Sequence, residues 1–237
     1  PTRLAYELIE NGIKDELIKP ILKKNFDISM PKLKLLSQIL DAQKDIYMTD
    51  EKAVNLYVNI PVCTSRCSYC SFISSEVKKC RHLLDRYSDL VEQEIKFCLE
   101  LIQSRGQYIR TVYIGGGTPT ALAPAQLDKI LSAVPKNTLE FTVEAGRPDT
   151  ITKEKLDLLD FHNVTRISIN PQTFSQNVLN TIGRGHTIED FYTSYKIARD
   201  NYKFLINMDL IAGLPEDGLN GFKESINRTL DLKPDNI

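Results

Sequence analysis

The spacing of hydrophobic positions changes period once along the chain, near residue 53. Before that point apolar residues recur at helical intervals. Leu4, Tyr6, Leu8 and Ile9 form one cluster, Leu17, Ile18, Ile21 and Leu22 a second, and Leu33, Leu36 and Ile39 a third. Ser29 and Pro31 fit an N-cap and first-turn pair for the third helix. Residues 1–50 therefore read as a small helical segment without strands, followed by a polar link at 47–52.

Past residue 53 strand-like runs alternate with helical ones. Strands are expected at 54–60, 111–114, 139–144, 166–170 and 204–211, and helices at 81–102, 124–134, 153–159, 188–201 and 219–230. The longest helix carries Leu84, Tyr87, Val91, Ile95, Cys98 and Ile102 on one stripe. A sixth strand is expected to begin at Ile237, where the chain stops. Repeated β-α units with short connections predict an α/β domain over residues 51–237, a parallel sheet with helices outside, either open and doubly wound or curved like a barrel. Both arrangements put ligands at the carboxyl ends of the strands. The unusual residues gather at those ends: 61–70, 115–118, 144–147, 171–172 and 213–215. Five loops are expected to build one site.

Composition narrows the chemistry. The 237 residues carry a formal net charge of −1, which supplies no global field for nucleic acid or anionic lipid. No apolar run approaches the ~20 residues of a membrane span, and no secretory signal is visible. The chain opens on Pro1 rather than Met, as a processed or excised polypeptide would. Five cysteines are present, an odd number, and Cys63, Cys67 and Cys70 fall within eight residues. That pattern points to a reducing, cytoplasmic setting and a metal site rather than a disulfide framework.

Thiolates are the usual ligands of iron–sulfur clusters. Three of them on a [4Fe–4S] cubane would leave one iron open to a small molecule. The spacing alone also admits structural zinc, although no second Cys/His pair accompanies the triad, or inert thiols. Cys80 and Cys98 read as helix residues. The run Gly115-Gly116-Gly117 at a strand end fits either a tight turn or a backbone whose amides approach a ligand. Glu144, Gln172 and Asp209 place carboxylates and an amide at other strand ends.

These strings together resemble a known family. The run from Leu56 to Cys63, then Cys67-Ser68-Tyr69-Cys70-Ser71-Phe72, is similar to radical S-adenosylmethionine (SAM) enzymes of the oxygen-independent coproporphyrinogen III dehydrogenase group. The resemblance continues through residues 113–120, 143–149, 166–174, 183–186 and 208–215, and covers about 54–237. The strings at 144–149 and 170–172 look most like the clostridial and bacillar branch. The resemblance implies a partial TIM-like (β/α)6 barrel, here ending at the sixth strand, with a [4Fe–4S] cluster on Cys63, Cys67 and Cys70 and SAM on its open iron. It implies SAM contacts from Tyr57, Tyr69, Gly116, Gly117, Thr118, Glu144, Gln172, Arg184 and Asp209. Gly116, Gly117 and Thr118 would meet the methionyl end and Tyr69 the nucleoside; Gln172 and Asp209 suit ribose and ammonium groups, and Arg184 the carboxylate.

The implied reaction is reductive cleavage of SAM, hydrogen abstraction from a propionate β-carbon, and loss of CO2 to leave a vinyl group. Two rounds convert coproporphyrinogen III to protoporphyrinogen IX. The implied partners are that porphyrinogen and an electron donor such as flavodoxin or ferredoxin. Arg147, Arg166 and His186 are candidates, from charge alone, to meet substrate propionates, with structural pairing the simpler reading. Two positions depart from the best-known members: Asn59 replaces a histidine, and Phe72 replaces a cysteine. Phe72 is shared with related proteins that act as haem chaperones, so a chaperone built on the same core stands beside the decarboxylase. A fragment ending before the sixth strand is expected not to turn over by itself.

Overall fold

The computed structural model describes residues 2–44, 50–72 and 75–237. Two compact units divide the chain, 1–50 and 51–237. The first contains α1 (Thr2–Glu10), α2 (Asp15–Phe26) and α3 (Met30–Gln43). Ala5, Ile18, Leu22, Leu33 and Leu36 form its core, with Leu4, Leu8 and Leu40 packed around them. Of the expected apolar positions, Ile9 and Leu17 face outward. Ser29 does occupy the N-cap of α3, with Pro31 in the first turn, but its side chain makes no capping hydrogen bond. The first half of the expected polar link at 47–52 lies outside the described residues.

The second unit begins with β1 (Ala53–Ile60), the short parallel pair β2 (Val62–Cys63) and β3 (Ser75–Glu76), and α4 (Val77–Cys80). There follow α5 (Leu84–Ser104), β4 (Tyr108–Gly116), α6 (Pro124–Ser132), β5 (Glu140–Glu144), α7 (Lys153–Phe161) and β6 (Arg166–Ser168). The chain closes with α8 (Gln176–Thr181), α9 (Ile188–Asn201), β7 (Leu205–Asn207) and α10 (Leu219–Leu232). The main sheet has the order β1-β4-β5-β6-β7 and is parallel throughout. Consecutive strands are neighbours in it, as in one arc of a (β/α) barrel rather than a doubly wound sheet whose order reverses. Asn236 adds a parallel bridge to Asn207 on the far side of β7, where a sixth strand is expected.

Alternation along the strands separates two faces. Val58, Ile60, Ile109, Val112, Ile114, Phe141, Val143, Ile167 and Ile206 are buried in the main core beneath the helices. The opposite face is polar, and the strand register arranges it in rows. Asn55 stands beside Thr111 and Glu140; Tyr57 beside Tyr113, Thr142 and Arg166; Glu144 beside Ser168 and Asn207. Side chains join the rows: Thr111 donates to Asn55 (2.8 Å), Tyr113 to Glu144, and Arg166 to Glu140 (3.2 Å).

The expected strand 204–211 is regular only over Leu205–Asn207, and 166–170 only to Ser168. Beyond those points the two chains part and rejoin at single contacts. The amide of Gln172 donates to the Asp209 carbonyl (3.0 Å), and that of Ile211 to the Gln172 carbonyl (3.0 Å). No described helix is long and apolar enough to cross a membrane.

Candidate functional site

At the carboxyl end of the sheet, loops from five strands surround a cavity of about 280 Å³. Cys63, Cys67 and Cys70 line it together with Tyr69, Phe72, Gly116, Gly117, Thr118, Glu144, Gly146, Arg147, Asn170, Gln172, Arg184 and Asp209. Of the residues expected to hold the cluster or SAM, all except Tyr57 thus meet at one place. Tyr57 lies three residues before the strand end, 58% exposed, stacked on Tyr113 with ring centroids 5.9 Å apart. It borders a separate groove between β1 and α5.

The cysteine loop leaves β1 and is stitched to the glycine loop after β4. The amide of Gly117 donates to the Ile60 carbonyl (2.8 Å) and that of Thr118 to the Val62 carbonyl (2.7 Å). An added Cβ on Gly117 would stand 2.9 Å from the Ile60 carbonyl oxygen and nearer still to that of Val62. The glycines therefore serve first to bring two backbones together. Two of the amides expected to face a ligand are already taken by the cysteine loop. Gly116 has φ +101, a conformation that favours glycine. Thr118 Oγ1 lies 3.3 Å from Cys63 Sγ.

The three thiols differ in surroundings. Cys67 is buried, while Cys63 and Cys70 are partly open. Burial pushes the Cys63 thiol up, opposed by its hydrogen bond with Thr118 and by the Arg147 charge. Metal binding there must therefore release a proton. Among the described residues no three His, Cys, Asp or Glu side chains converge tightly enough to hold a single metal ion. Three thiols that line one cavity fit a group that several cysteines hold in common. Cys80 lies on α4, its thiol directed to the Glu76 carbonyl at 3.5 Å, and Cys98 borders the groove beside β1.

Opposite the thiols stand acidic and amide groups. Burial raises the Glu144 pKa, the Tyr113 hydroxyl opposes the rise by donating to the carboxylate, and the nearby Asp209 adds to it. Asn170 donates to Asp209 Oδ2 (2.8 Å), and Asn207 to Oδ1 (2.8 Å). Gln172 sits at φ +65, and its buried Oε1 has no hydrogen-bond partner. A costly backbone conformation and an unmet acceptor coincide at this one residue of the cavity wall.

The arginines are less free than their charge suggests. Arg184 donates to the carbonyls of Gly146 and Asn170 (3.0 Å for the latter) and to the Tyr69 hydroxyl (2.9 Å). Only its Nε, buried, lacks a partner. Arg147 lines the cavity but is buried, its guanidinium held between Asp149 and the cysteine loop. His186 is buried as well, with both ring nitrogens unpartnered. Arg166 pairs with Glu140 on the polar face. The candidates for propionate contacts thus resolve into two buried groups and one paired group.

Sequence reasoning did not single out Asn170 or Tyr113. Asn170 stands immediately before Pro171-Gln172 at a strand end, the same positional signal that marked Gln172. Tyr113 precedes the glycine run and carried no signal beyond its strand.

The model for the radical SAM superfamily matches residues 57–228. The chain is 35% identical over 247 aligned residues to the oxygen-independent coproporphyrinogen-III oxidase-like protein HemZ of Bacillus subtilis, covering all of this chain and 49% of that protein. It is 38% identical over 183 residues to the heme chaperone HemW of the same organism, covering 74% of this chain and 47% of that one. The solved structure of the Escherichia coli coproporphyrinogen III oxidase HemN matches with a TM-score of 0.70 and 29% identity, over 82% of this chain and 45% of that one. The chain thus spans about half the length of these relatives. A parallel arc with cysteines, glycines and polar side chains gathered at its carboxyl end, joined to a family match over most of the domain, places the chain in the radical SAM superfamily, whose members use a [4Fe–4S] cluster and SAM.

Proposed function

We propose that Cys63, Cys67 and Cys70 hold the cluster and that SAM lies across the same cavity, against Thr118, Glu144, Gln172 and Asp209. The observation that carries this reading is the meeting of three thiols, an orphaned Gln172 Oε1 and two carboxylates around one cavity. When bound, the cluster supplies the electron for reductive cleavage of SAM at its open iron. The chain's own residues bind, orient and shield. Gln172 Oε1 offers an acceptor to a ribose hydroxyl or an ammonium group, and Glu144 and Asp209 offer carboxylates to the same groups. Arg184 ties the Tyr69 hydroxyl to the loops after β5 and β6, holding an aromatic face beside the cavity. Gly116 and Gly117 act by letting the cysteine loop approach β4.

The substrate reading is oxygen-independent oxidative decarboxylation of coproporphyrinogen III propionates to vinyl groups, in the cytoplasm, with a flavodoxin or ferredoxin as electron donor. It is supported by the match of this whole chain to about half of a coproporphyrinogen-oxidase-like relative. A haem chaperone is the second reading, favoured by Phe72, 63% exposed at the cavity rim, and by the likeness to a heme chaperone. The parent protein, reconstituted and reduced anaerobically with SAM, tests both when offered coproporphyrinogen III in one arm and haem in another. Vinyl product establishes the decarboxylase. Haem bound without vinyl product establishes the chaperone, and protein that takes up no iron and sulfide defeats both.

A further inference from the structure

We infer that Arg147 is a positioning residue for the cysteine loop, which it ties to the loop after β5, and that it places a positive charge against the Cys67 thiolate and hence against the cluster. This rests on the assignment of the three cysteines to the cluster.

Arg147 follows β5 by three residues, and its side chain is only 5% exposed. Its guanidinium divides its donors among three partners. Nε pairs with Asp149 at 3.0 Å. Nη2 donates to Ser65 Oγ at 3.0 Å, and Nη1 reaches the Ser65 carbonyl at 3.5 Å and Cys67 Sγ at 3.6 Å. Asp149 in turn accepts from Thr64 Oγ1 at 2.9 Å. The loop between Cys63 and Cys67 is therefore gripped at Thr64 by the carboxylate and at Ser65 and Cys67 by the guanidinium. Such a planar fork suits several acceptors at fixed angles, a task that a lysine ammonium performs less well.

A buried cation of this kind is costly without partners. Asp149 supplies one negative charge, and the thiolate supplies the second when a metal is bound. Reducing the cluster adds negative charge a short distance away, which the guanidinium favours.

Three variants test the inference in the parent protein. In cluster-free protein, hydrogen exchange at the amides of Ser68 and Cys70, which donate to the Ile182 and Cys67 carbonyls, reports the grip on the loop. Arg147→Gln is expected to speed that exchange about tenfold, and Asp149→Asn, which leaves the guanidinium in place, to speed it less. In reconstituted protein, Arg147→Gln is expected to shift the one-electron reduction equilibrium about tenfold toward the oxidised cluster, about 59 mV more negative. Arg147→Lys keeps the charge, so it should hold the parent's potential while still loosening the loop. Parent-like exchange together with parent-like potential in Arg147→Gln overturns the inference. Loosened exchange with an unchanged potential overturns its electrostatic half. A parent that takes up no iron overturns the cluster assignment and not the tie, which the exchange measurements decide by themselves.

Discussion

Replacing Gly117 with alanine adds one methyl group where two backbones cross. The new Cβ would meet the Ile60 carbonyl oxygen and the Val62 carbonyl carbon at 2.9 Å each, and the Val62 carbonyl oxygen closer still. All three neighbours are backbone atoms held by β1 and by the β2–β3 pair, so no rotamer change relieves the overlap. Forcing one methyl into such a packed crossing costs about 1–3 kcal/mol. Displacement also weakens the hydrogen bonds from Gly117 to Ile60 and from Thr118 to Val62, each worth about 1 kcal/mol. The total is roughly 2–4 kcal/mol, and for a protein of this size it corresponds to a fall of roughly 4–16 °C in the melting temperature. Because Thr118 Oγ1 touches Cys63 Sγ, cluster loading should fall as well. Gly185→Ala is the control, since its Cβ would meet nothing nearer than an Arg147 nitrogen at 3.8 Å. Thermal unfolding followed by circular dichroism, with iron and sulfide counted after anaerobic reconstitution, reads both effects. If Gly117→Ala melted with the control and took up the same iron, the close crossing would not be what the glycine serves.

Serine at Cys63, Cys67 or Cys70 should each abolish the reconstituted cluster spectrum, whereas serine at Cys80 or Cys98, whose thiols lie away from the cavity, should leave iron and sulfide at the parent level. Gln172→Gly removes a left-handed non-glycine residue and a buried unmet acceptor, so ligand-free protein should gain about 1 kcal/mol in urea unfolding while SAM binding, read by calorimetry, weakens. His186 has its pKa pushed down to about 4, by burial first and by the Arg184 charge second. Protons therefore bind the unfolded chain more tightly: stability is fully present above about pH 6.5, the unfolded value, and falls by about 3 kcal/mol as pH drops through about 4. His186→Leu should flatten the dependence of the urea midpoint on pH between those values, and an unchanged slope would show that other groups carry it.

Elements with a strong period or a clear cap were legible before any coordinates. The helix at 188–201 has the expected bounds because Thr187 and Asp190 satisfy each other's amides, at 2.8 and 3.1 Å, a local signal written in residue types. Strand β1 and the α5 stripe were legible because each sorts its residues to a buried and an exposed face. The pair β2–β3 was not, since two-residue strands have no period, and neither was α8, whose six residues make fewer than two turns. The strand at 204–211 was expected to be longer because its residues are apolar enough. Pairing through Asp209 and Gln172 replaces regular register there. In the site, the residue types were legible and the partners were not. Glycines at 116 and 117 pointed to a close approach, but only the fold shows that the cysteine loop makes it. Arg147 and His186 were candidates for propionate contacts from charge alone, with structural pairing the simpler reading; both are buried, and the burial of Arg147 depends on a loop 82 residues away.

The distribution of unmet groups separates the work of the two sheet faces. The helix-covered face consists of apolar side chains and carries the stability of the domain. Among the described residues, buried side-chain atoms of Gln172, Arg184 and His186 lack hydrogen-bond partners. Gln172 and Arg184 line the cavity, and His186 is two residues from Arg184. Each such atom costs about 1–3 kcal/mol when left unmet. Random imperfection would scatter them through the interior, but here they cluster at the carboxyl end of one sheet, beside three thiols. A bound ligand that offered donors to Gln172 Oε1 and an acceptor to Arg184 Nε would recover part of that cost on binding. His186 lines no cavity and would recover none. SAM binding should therefore protect the loops after β5 and β6 against hydrogen exchange and leave the pH dependence set by His186 in place.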